Sequence, residues 1–143
     1  MKKRKVKSNL AKLQKQAEDA WKDYAYARDG RQCMVRAYDS SLPLNHSEIF
    51  QVDHCFSRTD KNLFLDPANA TVICSSCNML KGFGQRGIDY IVHQIVIKRE
   101  GQAKHDEMML IHQHKNPSET WKSFTWLEKH IEYLNTLKGA SNA

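Results

Sequence analysis

The sequence predicts an α+β fold in which a small unit of two strands and a helix is packed among several α-helices. Apolar residues recur at three- and four-residue steps near both ends of the chain, as in helices that bury one face. Between these segments, residues 51–84 hold two short β-branched runs, and the second run leads into a Cys-x-x-Cys sequence. The prediction of function depends on the polar residues of this middle stretch.

The length of 143 residues is that of one domain. We expect a basic flexible tail over residues 1–8 and a single domain over residues 9–139. Within that domain a motif core covers residues 51–84, and a helical part covers residues 88–138. No apolar run approaches the roughly 18 residues that span a bilayer, so we expect no membrane segment.

The first predicted helix covers residues 9–28, and Ser8 or Asn9 can cap it. Residues 37–48 are rich in polar and turn-forming types and are predicted to form a loop. Two strands are predicted over residues 51–54 and 71–74.

A helix is predicted over residues 75–81, and Ser75 or Ser76 can cap it. Apolar spacing predicts two further helices, one from residue 88 to the glycine at 101 and one over residues 102–114. Thr125 begins a capping box and opens the last helix, which Gly139 is expected to end.

The positive charge is concentrated near the N-terminus. Residues 1–31 contain ten Lys or Arg and four Asp or Glu, whereas residues 32–143 contain twelve of each. A basic arm of this kind suits a phosphate backbone, and a solvated leader is the alternative interpretation. Lys3, Arg4 and Lys5 are its candidate DNA contacts.

Four polar residues of the motif core suit phosphodiester hydrolysis with a divalent metal. Asp53 offers a carboxylate oxygen and Asn78 an amide oxygen, and hard oxygen ligands of this kind suit Mg²⁺. His54 lies beside the candidate metal ligand, where a neutral imidazole can take a proton from an attacking water. Asn69 can hold that imidazole by a hydrogen bond.

In order and spacing these residues resemble the motif of the HNH endonucleases, which have a ββα-metal fold. The resemblance implies that His54 is the general base and that Asp53 and Asn78 bind a catalytic Mg²⁺ or Mn²⁺. It gives Asn69 the role of orienting the His54 loop. The implied activity is hydrolysis of DNA to 5′-phosphate and 3′-hydroxyl ends.

A looser resemblance, over most of residues 17–138, is to phage recombination nucleases of the NinG/Rap type. It rests on the residues at 17–24, 28–30, 54–58 and 88–102 and on a final helix that opens at 124–125. It implies branched DNA such as Holliday junctions as the substrate, and the cytoplasm of a bacterial host, near its nucleoid, as the location. Arg58, in the loop that the family uses near its substrate, and Lys81, one turn after Asn78, are candidate phosphate contacts.

A Cys-x-x-Cys in a lysine-rich chain favours a metal site or free thiols over a disulfide framework. Related zinc-stabilised HNH domains carry a first Cys-x-x-Cys where this chain has Cys33 alone. A structural zinc takes four ligands; Cys33, Cys74 and Cys77 supply three, and Cys55 or His46 would be the fourth. The alternative is that zinc has been lost and hydrophobic packing replaces it.

Other interpretations stay open at this point. A non-catalytic zinc-knuckle that binds nucleic acid would use Cys74 and Cys77 and would not need His54. An HNH nuclease for phage DNA packaging or restriction would share the chemistry and differ in its biological role. A homodimer is a further hypothesis, because apolar faces at 88–96 and 108–111 could form an interface.

Overall fold

The computed structural model describes residues 8–42 and 44–141. In chain order the elements are α1 (Asn9–Asp29), α2 (Met34–Tyr38), β1 (Phe50–His54), a 3₁₀ turn (Pro67–Asn69), β2 (Ala70–Cys74), α3 (Ser75–Gly82), α4 (Ile88–Glu100), α5 (Gln102–His114) and α6 (Phe124–Ser141). The predicted α+β class is confirmed, because helices surround one antiparallel pair of strands. Among the described residues, no helix combines the length and the apolar character that crossing a membrane requires.

The two strands and α3 form the unit that the sequence predicts at its centre. β1 and β2 pair antiparallel, with Phe50 opposite Cys74 and His54 opposite Ala70. The end of β1 therefore lies beside the beginning of β2, directly after Asn69. α3 starts at the other end of β2 and packs back against β1.

β2 is buried over its full length because helices cover both faces of the strand pair. On one face Val72 belongs to an apolar cluster with Trp21 of α1 and Leu127 of α6. On the other face Ile73 belongs to a cluster with Val92 of α4. Burial of apolar surface is the main stabilising term in folding, so β2 gives the site a fixed support.

The caps of α1 and α3 differ in how well the sequence predicts them. Ser8 caps α1 as predicted, and its Oγ accepts the N–H of the third helical residue at 3.1 Å. α3 is capped by Cys74 rather than by Ser75 or Ser76, because the Cys74 sulfur accepts the N–H of Cys77 at 3.4 Å. The cysteine thus replaces the usual oxygen acceptor.

Both predicted ends of α6 are wrong. The helix begins before Thr125, and Ser123 Oγ accepts the N–H of Trp126 at 3.2 Å in the manner of a cap. Gly139 does not end the helix, which continues to Ser141. Glycine costs about 1 kcal/mol in a helix, and the next residues are still helical despite that cost.

The apolar face of α4 is buried in the hydrophobic core. Ile88, Val92 and Val96 are fully buried, and so is Met108 of α5. These side chains therefore cannot supply the dimer interface that the sequence suggested for them, and a homodimer stays a prediction without this support.

Candidate active site and metal centre

Three of the four motif residues meet at a surface cavity of about 470 Å³ at the end of β1, whereas the fourth, Asn69, does not line it. Asp53 and His54 are the last two residues of β1, and Asn78 lies on α3. All three line the cavity, together with Arg58 and Lys81. The strand, strand and helix unit therefore brings together residues that are up to 28 positions apart in the chain.

His54 is held in one orientation by aromatic stacking and one hydrogen bond. Its ring stacks against both Trp21 and Phe64, with centroid distances of 4.2 and 4.7 Å. Its Nε2 lies 3.2 Å from the carbonyl oxygen of Phe64. A carbonyl only accepts, so Nε2 carries the proton and Nδ1 keeps a lone pair. Burial lowers the pKa of His54 to about 4, so the ring is neutral at neutral pH.

Asp53 has a buried oxygen that lacks a hydrogen-bond donor among the described residues. This Oδ2 lies 2.8 Å from Lys81 Nζ, which is an ion-pair distance, but the angles are not those of a hydrogen bond. The Lys81 ammonium instead donates to the carbonyl of His54 at 2.9 Å. Burial raises the pKa of Asp53 although Lys81 opposes this effect. A buried carboxylate oxygen that faces an ammonium and accepts no well-aligned hydrogen bond among the described residues suits a site where a cation binds.

Asn78 presents its amide from the first turns of α3. Its Nδ2 donates to Oε1 of Gln51 on β1. With the nitrogen engaged in this bond, the amide oxygen is the atom left to act as a ligand. The donor set of Asp53 and Asn78, one carboxylate and one amide oxygen, therefore suits a hard divalent cation.

Asn69 is fully buried and holds both ends of the loop that follows His54. Its Oδ1 accepts the N–H of Phe56 at 2.7 Å, and its Nδ2 donates to the carbonyls of Phe56 and Leu63 at 3.2 and 3.0 Å. These bonds go to the backbone, so the prediction of a bond to the imidazole is wrong. Because Phe64 follows Leu63 and bonds His54, Asn69 still fixes the segment that orients the ring.

A second cluster lies at the opposite end of the strand pair, where β2 ends at Cys74, and holds four metal-ligating side chains. Its members are Cys33, His46, Cys74 and Cys77, whose ligand atoms all lie within 4.8 Å of one another. The Cys33 and Cys77 sulfurs are 3.7 Å apart, and His46 Nδ1 lies 3.6 Å from Cys74 Sγ and 3.3 Å from Cys77 Sγ. A tetrahedral zinc with bonds of about 2.0–2.3 Å separates such atoms by roughly 3.5–3.8 Å. The geometry therefore suits one tetrahedral ion.

This cluster corrects the predicted ligand set at one position. Cys55 is not part of it, since its sulfur lies 3.3 Å from His93 Nδ1 in a different group. The fourth member is His46, the alternative that the sequence left open. His46 comes from the loop before β1, so the spacing rules for Cys-x-x-Cys pairs give no signal for it.

The candidate DNA contacts are only partly described. Arg58 is exposed at the margin of the catalytic cavity. Lys81 lines the same cavity but is engaged with Asp53 and His54. The basic residues at positions 3, 4 and 5 (Lys3, Arg4 and Lys5) lie outside the described residues.

Sequence reasoning missed two histidines that lie close to the site. His93 of α4 and His105 of α5 form a group with Cys55, the residue after His54. Both histidines stand alone in segments of helical pattern, and no short spacing links them to a cysteine. A sequence signal for them is therefore missing, and only the packing of α4 and α5 on the His54 loop reveals the group.

Comparison with known proteins adds no assignment to this geometry. No family model, no curated protein and no solved structure matches the chain. The functional argument therefore depends on the side chains themselves.

Proposed function

We propose that this protein is a metal-dependent DNA endonuclease of the HNH type, which leaves 5′-phosphate and 3′-hydroxyl ends. The observation that carries the proposal is the environment of His54, whose stacked ring has Nε2 on a carbonyl and Nδ1 able to accept a proton. Next to it stands Asp53, whose buried Oδ2 faces the Lys81 ammonium and accepts no well-aligned hydrogen bond from any described residue. A protein that only binds DNA has no need for this pair.

In the proposed reaction His54 acts as the general base. Nδ1 accepts a proton from the water that attacks the phosphorus, while the bond from Nε2 to the Phe64 carbonyl keeps the ring in place. Stacking against Trp21 limits rotation of the imidazole. Asn69 fixes the loop that carries the Phe64 carbonyl, so it acts as a positioning residue.

Asp53 and Asn78 are the residues that would hold a Mg²⁺ or Mn²⁺ ion. When bound, such an ion supplies stabilisation of the charge on the phosphate and on the leaving 3′ oxygen. Lys81 shares the Asp53 carboxylate, so a cation at Asp53 competes with its ammonium. Lys81 is then available to bind a phosphate oxygen of the DNA. Arg58, at the exposed margin of the cavity, can bind a phosphate oxygen as well.

The second part of the proposal concerns the four-residue cluster, which we assign to a structural Zn²⁺. Three thiolates and one imidazole are a ligand set that zinc takes in closed structural sites. The ion would tie α2 and the loop before β1 to the start of α3. It would thereby support the helix that presents Asn78.

Branched DNA, such as a four-way junction, is the substrate that we propose. The support is the resemblance to nucleases of the NinG/Rap type, which is an analogy and not a feature of the cavity. The chemistry at His54 is the same for linear DNA, so the substrate preference and the activity are separate claims.

Metal dependence gives a direct prediction for Asn78. We expect Asn78→Ala to lower the affinity for Mn²⁺ and Mg²⁺ by at least roughly 10–100-fold. A loss of that size already follows when a residue that only supports a metal ligand is removed, and Asn78 is proposed to be a ligand itself. The measurements are calorimetric titration with Mn²⁺ and the cleavage rate of labelled DNA as a function of metal concentration. Excess metal should restore part of the rate.

Asn62→Ala is a matched control, because Asn62 lies outside the catalytic cavity and bonds the carbonyl of Asn116. It should leave the metal titration unchanged. Equal metal affinity in Asn78→Ala and the wild type would remove Asn78 from the site. Asp53→Asn, which deletes the charge of the other ligand, should have the larger effect of the two.

One observation favours a second candidate, a zinc-knuckle module that binds nucleic acid without cutting it. The four-residue cluster is complete without any residue of the catalytic cavity. This candidate predicts salt-sensitive DNA binding that does not change in Asn78→Ala and is lost when the cluster is disrupted.

A further inference from the structure

Three metal-ligating side chains that the proposed function does not use meet beside the loop that follows His54. They are Cys55, His93 of α4 and His105 of α5. Cys55 Sγ lies 3.3 Å from His93 Nδ1, and this nitrogen lies 2.8 Å from His105 Nε2. The three ligand atoms are within 4.8 Å of one another. Cys55 and His105 are buried, and His93 is half-buried.

We propose that Cys55, His93 and His105 form a second transition-metal site, which takes Zn²⁺. It is separate from the cluster of Cys33, His46, Cys74 and Cys77. The proposal does not depend on nuclease activity, because it concerns only which ions the folded chain holds.

A hydrogen-bond chain does not account for this arrangement. An imidazole nitrogen has one in-plane position, which carries either a proton or a lone pair. His93 Nδ1 is close to both the Cys55 sulfur and His105 Nε2, and it can make only one good hydrogen bond with the two. A buried polar contact left unsatisfied costs free energy. One cation placed between the three atoms would be bound by a lone pair of each of them at once.

The surroundings resemble those of a metal-bound histidine. Nε2 of His93, the nitrogen that points away from the group, faces Asp89 Oδ1 at 3.8 Å. This distance is too long for a hydrogen bond, and a small shift of the exposed Asp89 side chain would be needed to form one. Metal-binding histidines commonly direct their second nitrogen to a carboxylate, which fixes the tautomer and the ring orientation. The Phe56 ring packs on His93 and His105 at centroid distances of 5.0 and 5.5 Å, and it shields the group from water.

The ligand types select the metal class. One thiolate and two imidazoles are softer than the oxygen pair of Asp53 and Asn78, so they favour Zn²⁺ over Mg²⁺. Three protein ligands leave one tetrahedral position, which a water molecule fills. A nitrogen–nitrogen distance of 2.8 Å is shorter than the roughly 3.3 Å of a tetrahedral zinc, so the two rings must move slightly apart when the ion binds.

The site would connect the catalytic loop to the helices behind it. Cys55 directly follows His54, whereas His93 and His105 belong to neighbouring helices. An ion here ties the end of β1 to α4 and α5. Its expected role is to stabilise the loop around His54, and not to take part in the cleavage chemistry.

The test is the metal content of the full chain, measured by mass spectrometry after dialysis and by Co²⁺ titration followed by absorption. The wild type should hold two equivalents of Zn²⁺. Cys55→Ser and His105→Gln should each hold one and should keep the strong sulfur-to-cobalt absorption of the three-cysteine cluster. Cys77→Ser should lose that absorption and keep the weaker band of a site with one thiolate.

His112→Gln is the matched control, because His112 touches the same Phe56 ring but bonds Asp60 and not the group. It should hold two equivalents. Two equivalents in Cys55→Ser and His105→Gln as well would overturn the proposal. If these variants fail to fold, the wild type decides: no bound metal, or a single equivalent that shows only the strong sulfur-to-cobalt absorption of the three-cysteine cluster, also overturns the proposal.

Discussion

Replacing His54 by alanine should lower the rate of metal-dependent DNA cleavage by about 10²–10⁴-fold, the usual contribution of a general base. The reason is that Nδ1 of His54 is the ring nitrogen able to accept the proton of the attacking water, since Nε2 is engaged by the Phe64 carbonyl. The measurement is a single-turnover cleavage rate with enzyme and Mg²⁺ in excess. Under these conditions DNA binding and product release do not mask the chemical step.

The chain offers a close control for this variant in His130. Its ring stacks on Trp126 with centroids 4.4 Å apart, and its Nε2 bonds the carbonyl of Leu65 at 2.7 Å. Its surroundings therefore match those of His54, but it lies outside the catalytic cavity. His130→Ala should lose comparable stability and keep its cleavage rate. If both variants lose cleavage alike, the role of His54 is structural.

Asp29→Ala should lower the free energy of unfolding by about 3–5 kcal/mol, the cost of leaving one charge of a buried pair without its partner. Arg28 contacts both oxygens of Asp29, at 2.7 and 2.9 Å, and Asp29 is almost fully buried. Asp29 also accepts the N–H of Val72 at 3.1 Å, so the substitution leaves a strand N–H without its acceptor. Urea unfolding followed by circular dichroism measures the change.

The loss should also reach the catalytic loop. Arg28 donates to the carbonyls of Pro67 and Ala70, which flank Asn69. Asp19→Ala is the control, because the pair of Asp19 with Lys15 is solvent-exposed and such pairs contribute about 1 kcal/mol or less. Equal stability of the two variants would mean that the Arg28 to Asp29 pair does not hold this segment.

Much of the unit formed by β1, β2 and α3 could be predicted because its signals are local. The strand that ends in Asp53 and His54, the strand that ends in Cys74, and the helix after it follow from short runs of residues. The register of an antiparallel pair then brings the end of one strand to the start of the other. The resemblance to HNH endonucleases assigned roles to the same residues, and those roles stay proposals.

The remaining features could not be predicted because they depend on packing between distant segments. His46, His93 and His105 join cysteines that are 13 to 50 residues away in the sequence, and no periodic pattern encodes those contacts. The bonds of Asn69 to the loop backbone were missed for a related reason. Apart from the short 3₁₀ turn at Pro67–Asn69, the loop between β1 and β2 has no regular structure from which its path could be inferred.

The cap of α3 shows the same limit on a smaller scale. Serines are the usual caps, and two of them follow Cys74 directly. The structure places the cysteine sulfur on the N–H of Cys77 instead, because Cys74 is drawn into the four-residue cluster. A tertiary contact thus overrides the local preference.

The most direct test of the central claim is cleavage of a labelled four-way junction, a matched linear duplex and a single strand, with Mg²⁺ or Mn²⁺, by the wild type and His54→Ala. The account predicts metal-dependent cutting by the wild type, fastest on the junction, with 5′-phosphate and 3′-hydroxyl ends and a large loss in His54→Ala. Equal cutting of all three substrates would contradict only the junction preference. Tight, salt-sensitive binding without cutting under either metal would contradict the nuclease itself.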